Sequence, residues 1–322
     1  MRAALLFTVL LAAVPACRSL ERDALVGERS GVTAIPGFVG VRASNGFPSA
    51  AFQASFTRGL VDRAEHRRAL QGTAADAGTA PPSYQVLVLG AGGPNGAFGA
   101  GLLAGWTESG ERPRFDLVTG VSAGAVLAPF AFAGSEHDRT LQLVFERLHP
   151  RDMYVKRGTI APFFGESLMD PEPLWESIVG HVDMDLLEEI ARGHEEGRRL
   201  YVGTTNLDAG AFVVWDLGAI AVRRDRRALR LFRQVILASA AIPVFYPPVL
   251  FEVRGPDGER GDEMHVDGSI ASPMFLPHQV FDTQRAVEEA GLGSLGAQPV
   301  VTVVHNGALP PPAEAVRRRT AD

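Results

Sequence analysis

The chain has 322 residues, 46% of them hydrophobic and 21% charged, with a formal net charge of −6 and a single cysteine. That length is ample for a large buried core, and a lone cysteine excludes an intramolecular disulfide. An acidic balance gives no electrostatic footprint for nucleic acid and no means of holding an anionic membrane by charge alone.

In chain order, the first feature is a leader. Met1-Arg2 is a short positive start, and Ala3 to Val14 is an apolar run, too short for a comfortable membrane span and right for a secretory signal. It ends in Val14-Pro15-Ala16-Cys17, which resembles a bacterial lipobox, with Pro15 unusual at its position. The expectation is a signal peptide over 1–16 and an exported protein. Its membrane partner is reached through acyl chains on Cys17, at the outer membrane or its periplasmic face. Ordinary cleavage after Ala16 would instead leave a secreted or periplasmic protein with a free thiol. Residues 17–83 read as a tether and a loosely structured lead-in, with a helix over Ala54 to Leu70 bearing Arg58, Arg63, Arg67 and Arg68 on a basic face. Gln71 to Ser83, rich in Ala, Gly, Thr and Pro, reads as a linker.

The organised domain is expected over 84–306. A buried strand at Val86 to Leu89 feeds the glycine-rich loop Gly90 to Gly96, then a helix over Ala97 to Glu108. A strand at Phe115 to Thr119 follows, then a helix-compatible run from Ala125 to Ala133, and amphipathic helices at Leu141 to Leu148 and Met184 to Arg192. Strands at Leu200 to Thr205 and Phe212 to Asp216 flank a turn at Asn206 to Gly210. A helix over Leu229 to Ala240 is stopped by Pro243, strands at Val249 to Val253 and Met264 to Val266 come next, and then a helix near Pro277 to Ala290 and a strand at Val300 to Val304. This alternation is that of a three-layer α/β domain. Residues 307–322, rich in Pro and Arg, read as a disordered tail.

Between a strand and a helix stands Gly120-Val121-Ser122-Ala123-Gly124. In that context G-x-S-x-G is a nucleophile elbow: the chain turns so sharply that the central side chain is exposed, and the flanking glycines remove Cβ atoms that would collide. The helix behind it offers free N–H groups and a positive dipole end to an oxyanion. Ser122 is the candidate nucleophile. Gly92, Gly93, Pro94, Asn95 and Gly96 are the candidate oxyanion hole, because consecutive glycines let backbone N–H groups converge. A phosphate-binding loop would need Gly-Lys-Ser/Thr at its end, and a dinucleotide fingerprint would need an acidic residue capping a second strand; neither is present. For the base, Asp267-Gly268 follows a strand, while the order Ser122, Asp267, His305 could be written as a triad. His265 reads as a neighbour of Asp267.

A glycine-rich loop after the first strand, Gly-Val-Ser-Ala-Gly, and a strand ending in Asp267-Gly268 together resemble the patatin-like phospholipase family. Further agreement lies in Thr204 to Gly210 and in Ala238-Ser239-Ala240-Ala241-Ile242-Pro243 with Pro247-Pro248. The resemblance covers about Tyr84 to Asn306. It implies a three-layer α/β/α fold with a mostly parallel central sheet, and a Ser122–Asp267 dyad without a catalytic histidine. The glycine loop is then the oxyanion hole and a lipid ester the substrate. Ala91 stands where many members have glycine, and Asn95 where many have Arg or Lys. The implied activity is hydrolysis of fatty-acyl esters in lipid metabolism, the alternatives being a carboxylesterase of small soluble esters or a non-catalytic lipid-binding lipoprotein. Trp106, Trp175 and Trp215 read as packing, and Arg223, Arg224, Arg226 and Arg227 as a solvated helix start that could face anionic head groups. With no metal-ligand spacing, neither metal nor cofactor is expected.

Overall fold

The computed structural model describes residues 22–25, 33–44, 49–73, 83–147, 172–280, 282–292 and 299–307. The expected signal peptide, Cys17, most of the expected linker and the tail beyond residue 307 lie outside these residues. Among the described residues no helix is long and apolar enough to cross a membrane.

Strand β1 (Arg42–Ser44) is followed by the long helix α1 (Ala50–Thr73), and β2 (Gln85–Leu89) by α2 (Gly96–Glu108). Then come β3 (Leu117–Val121), α3 (Ala123–Ala133), α4 (Asp138–Arg147), α5 (Glu172–His181) and α6 (Met184–Glu195). Strands β4 (Arg199–Asn206) and β5 (Ala211–Asp216) form a hairpin, which leads into the short α7 (Leu217–Ala221) and into α8 (Arg226–Ser239). The hairpin β6 (Val249–Arg254) and β7 (Arg260–Asp267) precedes α9 (Thr283–Glu289) and β8 (Val300–Val304). Aspartates begin several helices by accepting orphan N–H groups: Asp183 from Leu186, Asp216 from Ala219, Asp225 from Ala228.

The sheet runs β1-β5-β4-β3-β2-β8. Its centre, β4-β3-β2-β8, is parallel, and β5, β1 and the β6–β7 hairpin extend it antiparallel. Side chains alternate between its faces. Leu87, Leu89, Val118, Leu200 and Val202 pack with α2, α3, α4, α5, α6 and α8 on one side. Val86, Val88, Leu117, Val121 and Tyr201 pack on the other with Phe52, Phe56 and Leu60 of α1 and Ala286 of α9. This is the α/β/α sandwich that the resemblance implied.

The stretch expected to be a tether and lead-in needs correction. Helix α1 supplies much of one helical layer, beside α9 and the residues before it. Two of its expected basic-face arginines turn inward: Arg63 Nε donates to Asp116 Oδ1 at 2.6 Å and Arg67 Nη2 donates to Asp116 Oδ2. Asp116 is fully buried just before β3 and also accepts the Gln85 N–H. Further upstream, β1 pairs with β5, Ala24 bridges to Asp262 and Ala34 to Arg254. The folded unit therefore includes residues well before 84. The expected helix near Pro277 to Ala290 is also shorter: a 3-10 turn at Pro277–Gln279 precedes α9.

Candidate active site

The site is assembled on one edge of β4. From Leu117↔Arg199 to Val121↔Gly203, that edge is occupied by β3, running parallel. From Thr204↔Asp267 to Asn206↔His265 it is occupied by β7, running antiparallel. Two strands pointing at each other along a common edge must end where they meet. Their C-terminal ends are Val121 and Asp267, so Ser122 and Asp267 converge although they lie far apart in sequence.

Ser122 has φ 56° and ψ −120°, in the left-handed region that non-glycine residues avoid. The turn is that tight because strand and helix nearly touch. A Cβ at Gly120 would lie 2.4 Å from the Gly124 carbonyl oxygen, and one at Gly124 would lie 2.0 Å from the Leu89 carbonyl oxygen. Only glycine fits either place. The result aims Ser122 Oγ at Asp267 Oδ2, to which it donates at 2.6 Å. Ser122 is 4% exposed and Asp267 is fully buried. Burial pushes the Asp267 carboxyl above the usual carboxylate range, against the hydrogen bonds it accepts from Ser122 and Ser269. Gly268 begins the turn after Asp267, close against the Gly203 carbonyl.

One segment braces both residues. Ser239 Oγ accepts the Ser122 backbone N–H at 3.0 Å and donates to the Gly203 carbonyl at 2.6 Å. Two residues on, the Ala241 carbonyl accepts the Asp267 N–H at 2.9 Å. Sequence reasoning noticed this block only as part of a resemblance. A serine at the end of an otherwise apolar helix run was the available signal.

The glycine loop packs over the elbow: the Leu89 and Gly90 carbonyls face Gly124, and Gly96 faces Ala123. Its base is fixed by Gly90 N–H to the Val304 carbonyl, Ala91 N–H to the Pro273 carbonyl, and Asn306 Nδ2 to the Gly90 carbonyl at 2.8 Å. The five residues expected as an oxyanion hole narrow to two. Pro94 has no N–H, Asn95 N–H is spent on the Gly92 carbonyl, and Gly96 N–H on the carbonyls of Gly93 and Pro94. No acceptor is found among the described residues for the N–H groups of Gly92 and Gly93. Gly93 has φ 53° with open space where a Cβ would stand, so a substrate oxygen can approach its backbone.

No histidine hydrogen-bonds Ser122 or Asp267 among the described residues. His265 is fully buried between Thr204 Oγ1 (2.9 Å) and Glu263 Oε2 (3.2 Å), and burial pushes its pKa down. Arg42 Nη1 and Trp215 Nε1 complete that network at Glu263 and Thr204. Three of the four arginines of the basic cluster are engaged: Arg224 binds Glu188 and Glu195, Arg223 binds Asp225, and Arg227 donates to the Pro36 carbonyl. Glu136, His137 and Glu189 do come close enough to hold a metal, which linear spacing missed. Within that cluster His137 Nε2 and Glu189 Oε2 are hydrogen-bonded to each other at 2.6 Å. Cys17 lies outside the described residues.

A family model described as patatin-like phospholipase matches residues 87–280, more than half of the chain. Among solved structures, VipD from Legionella pneumophila is similar at 15% identity and a TM-score of 0.39, over 64% of this chain and 49% of that one. The chain thus spans about half the length of that relative. No curated protein matches it by sequence. The family match contains both Ser122 and Asp267 and the loop of Gly92 and Gly93, and on its extent the chain belongs to the patatin-like phospholipase family.

Proposed function

We propose that the protein is a serine acyl hydrolase of lipid esters in which Ser122 is the nucleophile and Asp267 its base. The observation that carries the reading is the 2.6 Å hydrogen bond from Ser122 Oγ to a fully buried carboxylate on a strained elbow. A carboxylate with a reference pKa near 3.9 is a weak base in water. Burial raises the Asp267 value and so brings it closer to its task.

As Ser122 Oγ attacks the ester carbonyl, its proton passes to Asp267. The carbonyl oxygen, now an alkoxide, lies among the N–H groups of Gly92 and Gly93, with the free N–H groups at the start of α3 adding a positive dipole end. Collapse of the tetrahedral intermediate breaks the carbon–oxygen bond, and Asp267 returns the proton to the departing alcohol or lysolipid. Water then loses a proton to Asp267 and attacks the acyl-enzyme, releasing the fatty acid and restoring Ser122.

Ser122→Ala and Asp267→Asn should each lower kcat on an ester by at least about 10³-fold, with circular dichroism unchanged. Full activity in either variant overturns the dyad. Activity that rises sharply when a substrate forms micelles or vesicles favours lipid esters over small soluble ones. The reading also includes export and an acyl anchor: Cys17→Ser should release the protein from membranes, and unchanged fractionation would refute lipidation.

A further inference from the structure

Three stretches that meet at the site, residues 90–107, 235–251 and 268–277, contain no Asp, Glu, Lys, Arg or His. All three belong to the site. The first is the glycine loop with most of α2. The second contains Ser239 and Ala241, which brace Ser122 and Asp267. The third follows Asp267 directly and meets the glycine loop through the Ala91 to Pro273 hydrogen bond. The β6–β7 turn, by contrast, carries Arg254, Asp257, Glu259 and Arg260.

Large apolar side chains stand out of these stretches into solvent. Val244 is 65% exposed, Phe98 60%, Ile270 56% and Phe245 40%. Val244 also has φ 73°, an outlier for a β-branched residue. Its turn is closed by the Tyr246 N–H on the Ile242 carbonyl at 2.9 Å. A strained backbone that presents a valine to water is not explained by packing within the chain, and such strain concentrates at functional positions. Protein–protein interfaces carry a polar rim with hydrogen-bonding and charged groups. Three uncharged stretches that carry exposed apolar side chains are suited instead to hydrocarbon.

We infer that Val244, Phe245 and Ile270, with Phe98 beside the glycine loop, form a docking surface for the neutral face of a phosphatidylcholine-type bilayer. The inference deepens the hydrolase reading and rests on it for its purpose: an acyl ester can pass from bilayer to Ser122, itself only 4% exposed, without crossing water. Contact is made by insertion, so it survives salt that would screen a charged interface.

The test uses the full-length chain carrying Ser122→Ala, so that no lipid is consumed, and Cys17→Ser, so that no acyl anchor contributes. Val244→Trp is placed in that background, with Phe245→Trp as a second probe should the strained position reject an indole. Asp257→Trp, in the β6–β7 turn at the other end of β7, is the control. With phosphatidylcholine vesicles the rim probes should shift to the blue and be quenched by bromine-labelled acyl chains, equally in low and high salt, while the control does neither. The pair Val244→Ser with Phe245→Ser should lower vesicle partitioning by about tenfold or more with an unchanged melting temperature. Vesicle-bound protein with unshifted rim probes, or equal quenching at the control, would overturn the inference. So would binding that requires anionic lipid and is released by salt. A concentration-dependent blue shift without lipid would assign the rim to a second copy of the chain and overturn it too. Soluble-ester hydrolysis by the parent without insertion would sink the docking surface alone. Insertion by a parent that cleaves no ester would uphold the surface and sink the hydrolase reading.

Discussion

Ser239→Ala removes one oxygen from a fully buried position. That oxygen accepts the Ser122 N–H and donates to the Gly203 carbonyl. The Gly203 carbonyl belongs to a paired strand, so its loss is small; the Ser122 N–H, buried with its residue, is left without an acceptor. Orphaning such a donor costs about 1–3 kcal/mol. A domain with about 5–15 kcal/mol of stability absorbs that and still folds. Urea denaturation should therefore show a lower midpoint with an unchanged slope. The loss is local to the nucleophile's own backbone, and small misplacements of reacting groups cost up to about 10²-fold in rate. On a soluble ester kcat should fall by about ten- to a hundredfold while KM changes little. A stability change below about 0.5 kcal/mol together with wild-type kcat would refute the idea that Ser239 holds the elbow.

The pH profile follows from Asp267, whose pKa is raised first by burial. The ionised carboxylate is the base, so kcat/KM should fall on the acid side through a limb lying above the reference carboxylate value of about 3.9; a limb at or below that value contradicts the assignment. The sign for stability is opposite to that of a salt-bridged aspartate. The folded chain holds its proton more tightly than the unfolded chain, so stability falls as pH rises from the unfolded to the folded pKa. Asp267→Asn should accordingly raise the unfolding midpoint above that window and leave it unchanged below it. Gly124→Ala places a methyl 2.0 Å from the Leu89 carbonyl oxygen, which strand pairing prevents from moving. It should destabilise the protein by about 3 kcal/mol or more, and a thermal midpoint equal to the parent's would show that the elbow is looser than described.

Much of this architecture was legible because central strands announce themselves. Val86 to Leu89 and Leu200 to Thr205 are apolar on both faces, as strands buried on both sides must be, and Gly120 and Gly124 mark the elbow by what cannot fit there. What escaped was set by distant partners. Strand β1 is Arg-Ala-Ser, with no pattern to read, and exists because β5 offers it an edge. The first half of β7, Arg-Gly-Asp-Glu, precedes the strand expected at Met264 to Val266, and its polar residues are strand only as the partner of β6. Asp116 is one polar residue in the strand expected at Phe115 to Thr119, yet it anchors two arginines of α1. The glycine loop keeps fewer backbone donors than its five candidate residues for a local reason: its 3-10 turn consumes the N–H groups of Asn95 and Gly96, leaving those of Gly92 and Gly93.

The meeting of β3 and β7 on one edge of β4 also bears on time. A chain is made from its N-terminus, and Ser122 and its whole elbow emerge long before Asp267. Until β7 is synthesised and pairs with the last residues of β4, Ser122 lacks the carboxylate proposed as its base. A slip of one residue in that pairing would turn the Asp267 side chain to the opposite face of the sheet. Whatever ester the site cleaves, a nascent or misregistered chain cannot cleave it. With the dyad proposed above, the chain is inert during its own synthesis and becomes competent only in the alignment that completes its sheet.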